Sequence, residues 1–197
     1  GFEHQPNARL LWTPGEATTV WGSVARAVRT PSRIDRDGTV DQIVLPPLSA
    51  RNPLPRPVLI QATSDVDTES LIAYEVGWKQ RLMPTLSIDL ATFYNDYRDL
   101  RTGRFLDPVC RPSGVGPVPL CLLAIPGQTY VLQPSPAGNL ARSHSYGVEL
   151  AADWRPLANL RFQLAYTQYR MFVHEELNAF SIDREGSAPK TQTALRV

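Results

Sequence analysis

Residues 71–98 read LIAYEVGWKQRLMPTLSIDLATFYNDYR. Ile72, Tyr74, Val76 and Trp78 alternate with Ala73, Glu75, Gly77 and Lys79. A turn at Met83-Pro84-Thr85 follows. Leu86, Ile88, Leu90 and Tyr94 then alternate with Ser87, Asp89, Ala91 and Asn95. A period of two is the mark of a strand whose faces meet different surroundings, so the stretch predicts a hairpin. The pattern returns at 146–173 around Pro156-Leu157-Ala158-Asn159, with Tyr146, Val148, Leu150, Ala152 and Trp154 on one face. Leu160, Phe162, Leu164 and Tyr166 continue it on the next strand.

Outward from these hairpins the chain alternates short turns with long connections. Ala8–Trp12 and Thr18–Val28 form a first pair around Thr13-Pro14-Gly15-Glu16, where Pro and Gly favour reversal. The facing of the second of these strands is ambiguous, because Arg26 shares a parity with its valines. Residues 29–70 read as a connection carrying Pro31, Pro46, Pro47, Pro53, Pro55 and Pro57, with a short strand at Val58–Ala62. Residues 99–145 read as a second, with strand fragments such as Thr129–Leu132, and 174–188 as a third. Proline lacks the N–H that a central strand donates. The expectation is about seven long antiparallel strands in an up-and-down meander, all-β, with the turns at 13–17, 82–85 and 156–159 at one end and the long loops at the other. Structureless connections beyond about 12–15 residues are uncommon in compact soluble domains, whereas a membrane barrel has short periplasmic turns and long outer loops.

Alternation also fits a soluble β-sandwich, such as a carbohydrate- or ligand-binding module. Tyr74, Trp78, Tyr94, Tyr146 and Trp154 all lie on the apolar face, several near strand ends, which fits an interfacial girdle and a sandwich core equally. Strand length favours the barrel: the runs 71–82, 86–98 and 160–173 each exceed ten residues, against a mode of about 5–6 in globular sheets. The alternatives differ in one observable. A sandwich buries Trp78, Ile88, Leu150 and Phe162 against a second sheet, and a barrel wall leaves them in an open band.

Composition limits the rest. The chain is 43% hydrophobic and 20% charged, with a net charge of +1, so nothing points to nucleic acid. No run approaches the roughly 20 apolar residues of a transmembrane helix, a test that strands escape. The chain opens at Gly1-Phe2-Glu3-His4 and closes at Val197 inside an alternating run, which reads as an internal segment of a longer protein. Cys110 and Cys121 stand in one Pro- and Gly-rich connection. They read as a disulfide suited to an oxidising compartment, two unpaired thiols being the alternative. His4, His144 and His174 are scattered, and none has a partner at metal-ligand spacing. Ser113-Gly114-Val115-Gly116 precedes no helix and so offers no phosphate cradle. Asp96 and Asp99 read as polar residues at a strand end. No catalytic residue, cofactor or metal is expected.

Several of these motifs together resemble TonB-dependent outer-membrane receptors. Trp21-Gly22-Ser23-Val24-Ala25-Arg26-Ala27-Val28-Arg29-Thr30-Pro31-Ser32 resembles an aromatic-bearing strand that ends in Arg-x-Pro at an extracellular loop. Glu69 with Tyr74-Glu75-Val76-Gly77 is similar to the next strand, and Phe93-Tyr94-Asn95 with Tyr97 and Asp99 to the one after. Tyr146-Gly147-Val148-Glu149-Leu150 resembles a Gly-Val-Glu strand, and Ala188-Pro189-Lys190-Thr191 the start of another. Ser64-Asp65-Val66-Asp67 stands where the family usually carries Asn-Pro-x-Leu. The resemblance implies part of a 22-stranded transmembrane barrel over residues 1–197. The plug, the TonB-contacting segment and the last strands would lie outside it. It implies the outer membrane of a Gram-negative bacterium, with lipid and lipopolysaccharide as surroundings and TonB as the partner that drives uptake. The solute would be scarce, a ferric siderophore before haem or cobalamin. Arg29, Arg33 and Arg36, at the first outer connection, are the candidate contacts for an anionic chelate. Solvated loop arginines, or lipopolysaccharide contacts at the rim, are the alternative.

Overall fold

The computed structural model describes residues 2–112, 117–121, 129–180 and 187–197. Seven long or edge strands form one antiparallel wall: β1 (Asn7–Gly15), β2 (Thr18–Arg29), β5 (Glu69–Met83), β6 (Leu86–Arg104), β8 (Tyr130–Leu157), β9 (Leu160–Glu175) and β11 (Thr191–Arg196). Each pairs with the next in that order. Four shorter strands lie at the end away from the tight turns: β3 (Thr39–Leu45), β4 (Arg56–Gln61), β7 (Val109–Arg111) and β10 (Ala179–Phe180). A single α-helical turn, α1 (Arg33–Asp37), follows β2. No described helix is long and apolar enough to cross a membrane, which says nothing of strands.

The two faces of the wall differ as the alternation predicts. On one face Tyr74, Val76, Trp78, Tyr94, Tyr146, Trp154, Leu164, Phe172 and Leu195 are all exposed. Trp78 keeps 37% of its surface, and Ile88, Leu150 and Phe162 are only half-buried by their lateral neighbours. The strongest packing between elements is that of ladder neighbours, so these residues form an open apolar band rather than half of a two-layer core. The sandwich alternative is set aside on this point. An exposed apolar surface of this extent needs a covering.

Register settles the facing of β2. Val20, Gly22 and Val24 pair with Trp78, Val76 and Tyr74 on the apolar face, and Trp21 pairs with Gly77 on the other. Gly77 is buried because the Trp21 indole lies where a Cβ would stand. Phe93 lies over Gly147 in the same way, and its ring stacks with that of Tyr169 at 6.2 Å. Glycine in these two strands leaves room for an aromatic on the adjacent strand.

The connections differ from expectation. Much of 99–145 is strand: β6 runs on to Arg104, and β8 begins at Tyr130 and spans 28 residues. Residues 29–70 and 174–188 likewise contain α1, β3, β4 and β10. Pro134 and Pro136 sit inside β8 without breaking it. One flank of β8 pairs with β7 at Tyr130–Leu132 and with β6 only from Ala137 onward. The two prolines fall in the gap, where no ladder partner calls for an N–H. On the other flank β4 pairs with β8 in parallel, Val58 opposite Gln133 and Gln61 opposite Pro136.

Burial is concentrated at this end. Val58, Val66, Leu100, Cys110, Cys121, Val131, Leu132 and Ala141 are its buried apolar residues. Cys110 and Cys121 are bonded, with Cα atoms 5.5 Å apart, and pack with Val131 and Val118. Ser113-Gly114-Val115-Gly116 lies outside the described residues.

Candidate functional site

The outer ends of β2, β5 and β6 carry a polar network that ties α1 to the wall. Arg29 and Glu69 are opposite in register, and an Arg29 guanidinium N–H donates to Glu69 Oε2 at 3.0 Å. Glu69 Oε1 accepts from the backbone N–H of Arg101 at 2.6 Å. The Arg101 side chain reaches the other way and pairs with Asp35 Oδ1. Asp35 Oδ2 accepts from the Ser32 N–H and the Ser32 hydroxyl, each at 2.8 Å. Asp35 and Glu69 are both buried. A buried carboxylate is stable only when its oxygens are met by donors, and Arg29, Ser32 and Arg101 supply them here.

Of the three candidate arginines, Arg29 is drawn into this network. Arg33 and Arg36 lie exposed on α1, and Arg33 makes a long pair of 3.8 Å with Asp37, its neighbour one helical turn on. The structure thus holds the three near one another but binds only one to the wall. Asp35, Glu69 and Arg101, which organise the group, were absent from the sequence-based candidates. Asp35 gave one signal, since Ser32-x-x-Asp35 has the spacing of a helix capping box.

A second clamp lies beside it. Asn139 Oδ1 accepts from the N–H of Asp67 at 2.8 Å, and its Nδ2 donates to the carbonyl of Asp67 at 3.1 Å. Thr63 Oγ donates to the carbonyl of Ala137 at 3.0 Å. Asp99 sits at an irregularity of the β6–β8 ladder with φ 55°. There the short polar side chain tolerates the left-handed region. Asp96 is held by Arg98 at 2.9 and 3.1 Å, so Asp96 and Asp99 do not form a carboxylate pair.

The polar face of the wall is ordered by cross-strand charge. Lys79 and Asp89 lie 3.9 Å apart. Asp153 accepts from Arg161, lies 3.4 Å from Arg155 and accepts from Gln163 at 3.2 Å. Ser23 donates to Glu75 at 3.2 Å, and Asn95 to Ser145 at 3.2 Å. A hollow of about 650 Å³ at the tight-turn end is floored by Ala151, Ala165 and Ala194 and edged by Lys79, Asp89 and Asp153. Such a surface suits water, a polar solute or another polar protein segment rather than lipid.

The histidines are not all scattered. β8 and β9 bring His144 and His174 together, their rings stacked with centroids 5.7 Å apart. The pairing needed strand register, which spacing along the chain does not reveal. Among the described residues no three His, Cys, Asp or Glu side chains are placed to hold a metal ion.

Comparison with known proteins agrees with this architecture. The family model described as TonB dependent receptor-like, beta-barrel matches residues 2–195. The siderophore receptor PirA from Acinetobacter baumannii is 17% identical, with a TM-score of 0.58 over 84% of this chain and 22% of that one. A variant of the ferric enterobactin receptor PfeA from Pseudomonas aeruginosa is 17% identical, with a TM-score of 0.59 over 84% and 21%. The ferric yersiniabactin uptake receptor FyuA from Yersinia pestis is 17% identical, with a TM-score of 0.51 over 97% and 22%. At such identities the likeness is one of fold. The chain spans roughly a fifth of the length of these structures. No curated protein sequence matches it. With the family model covering nearly every residue of a meander whose apolar face is open, the chain belongs to the TonB-dependent receptor-like β-barrel family.

Proposed function

We propose that residues 1–197 form part of the barrel wall of an outer-membrane receptor that imports a ferric siderophore under the drive of TonB. The observation that carries the reading is the division of the wall. One face is an exposed band of Tyr, Trp, Val and Leu, and the other is a lattice of paired charges. Lipid is the medium that covers the first face, and a water-filled or plugged lumen the one that meets the second. The surroundings are then lipid and lipopolysaccharide, and TonB acts through chain beyond this segment. Relatives of the same fold are named for siderophores, which supports the choice of solute. Arg33 and Arg36, exposed on a helix fastened beside the lumen, are offered to an anionic chelate, with Arg29 held back by Glu69. The Cys110–Cys121 bond suits a loop outside the cell.

The test is growth of a strain lacking the full-length gene, with iron supplied as single ferric siderophores. Growth should fail on at least one chelate and return with the gene or with ferrous iron. Unchanged growth on every ferric chelate, with uptake of cobalamin or haem lost instead, overturns the choice of solute and leaves the receptor reading standing.

A further inference from the structure

We infer that the free edge of β3 is paired, in the full-length receptor, with an outer extension of the next rising strand of the barrel. The inference rests on the receptor reading above. β8 carries β6 and β7 on one flank and β9 and β4 on the other. β3 follows β4 in that order, so it stands on the side where β11 follows β9. Among the described residues no strand pairs with its far edge. β9 rises from the turn at 156–159 and β11 runs antiparallel to it. On the receptor reading the next strand therefore rises beside β11, beneath β3. The level to be reached is set by register. Thr39 lies opposite Gln61, and Gln61 opposite Pro136, five residues along β8 from its last pair with β9 at Ala141. At about 3.4 Å per residue this is a rise of about 17 Å. β8 itself runs on from Ala141 to Tyr130, so extensions of that length belong to this wall.

Burial marks the missing neighbour. Ile43 and Val58 are opposite in register. Val58, with a strand on each flank, is 0% exposed, whereas Ile43, with a strand on one, keeps 36% and Val44 keeps 66%. The edges of the wall behave alike, since Trp12 on β1 and Leu195 on β11 are exposed too. In a closed barrel those edges are covered by adjoining strands of the same chain. β3 also lacks most of the devices that blunt a free edge. It has no Pro and no Lys, and its one bulge, between Asp41 and Ile43, leaves paired residues on either side. A second copy or a foreign peptide would meet the same unpaired groups. Two observations favour the same chain. The segment spans roughly a fifth of the receptors it matches, which leaves most of the outer connections still to be placed around this mouth. A tethered strand also competes at an effective concentration of about millimolar.

The experiment uses the full-length receptor purified in detergent from outer membranes, with hydrogen exchange followed by mass spectrometry. An antiparallel strand paired on one side engages every second amide, so a free β3 would exchange about half of its amides at unprotected rates. Pairing should slow nearly all of them, the outward ones by at least about tenfold. Val44→Cys, at an exposed position, is then combined with single cysteines along the outer connection of the next rising strand, and oxidised. A cross-link within one chain should form at one register position. Rapid exchange of half the β3 amides, cross-links only between two copies, or none along the connection overturns the pairing, while recovery of the receptor from outer membranes leaves the receptor reading standing. A chain absent from the outer membrane overturns that reading and the pairing together.

Discussion

Arg101→Ala should loosen the outer loop that carries α1 without disturbing the wall. Asp35 is 9% exposed and has three donors, two from Ser32 and one from Arg101. Removing a hydrogen bond to a charged group costs about 1.5–3 kcal/mol. The Arg101 side chain keeps 34% of its surface, so water replaces part of the loss, and about 1–2 kcal/mol is the expected effect. The amide of residue 101, which Glu69 accepts from, survives the change. A cost of that size raises the population of the detached loop by a factor of about 5–30. Arg33 and Arg36 make the opening measurable, since both are exposed on α1 and are sites for trypsin. When opening and closing are fast, cleavage follows the open population. The cut rate within 33–36 of the detergent-solubilised receptor should therefore rise 5–30-fold in Arg101→Ala, with a smaller rise in Asp35→Asn. Cut rates within twofold of wild type in both variants would refute the claim that this ion pair fastens α1.

Three further outcomes test the wall and the outer core. Val148→Arg, at a half-buried position on the apolar face near the middle of β8, should cost about 2–4 kcal/mol in vesicle refolding of the full barrel; Glu149→Gln on the polar face should cost far less, and equal effects would contradict a lipid-facing band. Gly147→Ala should cost about 1–3 kcal/mol by overpacking, because the new methyl meets the Phe93 ring and the Gln168 carbonyl; the urea midpoint should fall, and recover in part with Phe93→Leu. Cys110→Ser with Cys121→Ser should release a loop whose closure, at 11 residues of separation, is worth about 3 kcal/mol by chain entropy. Protease cuts between 105 and 133 should appear in that variant, and an unchanged digestion pattern would show that Val131 and Val118 suffice to hold the loop.

The division between what could and could not be read along the chain follows from what surrounds each part. Between Leu71 and Arg98 alternate residues fall on an apolar and on a polar face of the wall, so the wall imprints a period of two on the sequence. The disulfide and the turns are equally local signals. Beyond the apolar band β8 runs on among the short strands. There Gln133, Pro134, Ser135 and Pro136 are strand by virtue of β4 on one flank and an unpaired gap on the other, and a chain read alone shows only prolines. The polar network fails to show for the same reason. Asp35, Glu69 and Arg101 lie 66 or fewer residues apart in sequence and become neighbours only through the register of three strands. His144 and His174 join through one register pair, Arg142 opposite His174, set by a turn many residues below at Pro156–Asn159. Deleting one residue from that turn should therefore do more than shorten it. Side-chain facing has a period of two, so a one-residue slip of β9 would move Phe172 and His174 to the polar face and Glu175 to the apolar one. The His144–His174 stack should then be lost, while the Asp35–Arg101 latch, which lies on α1 and β6, should persist.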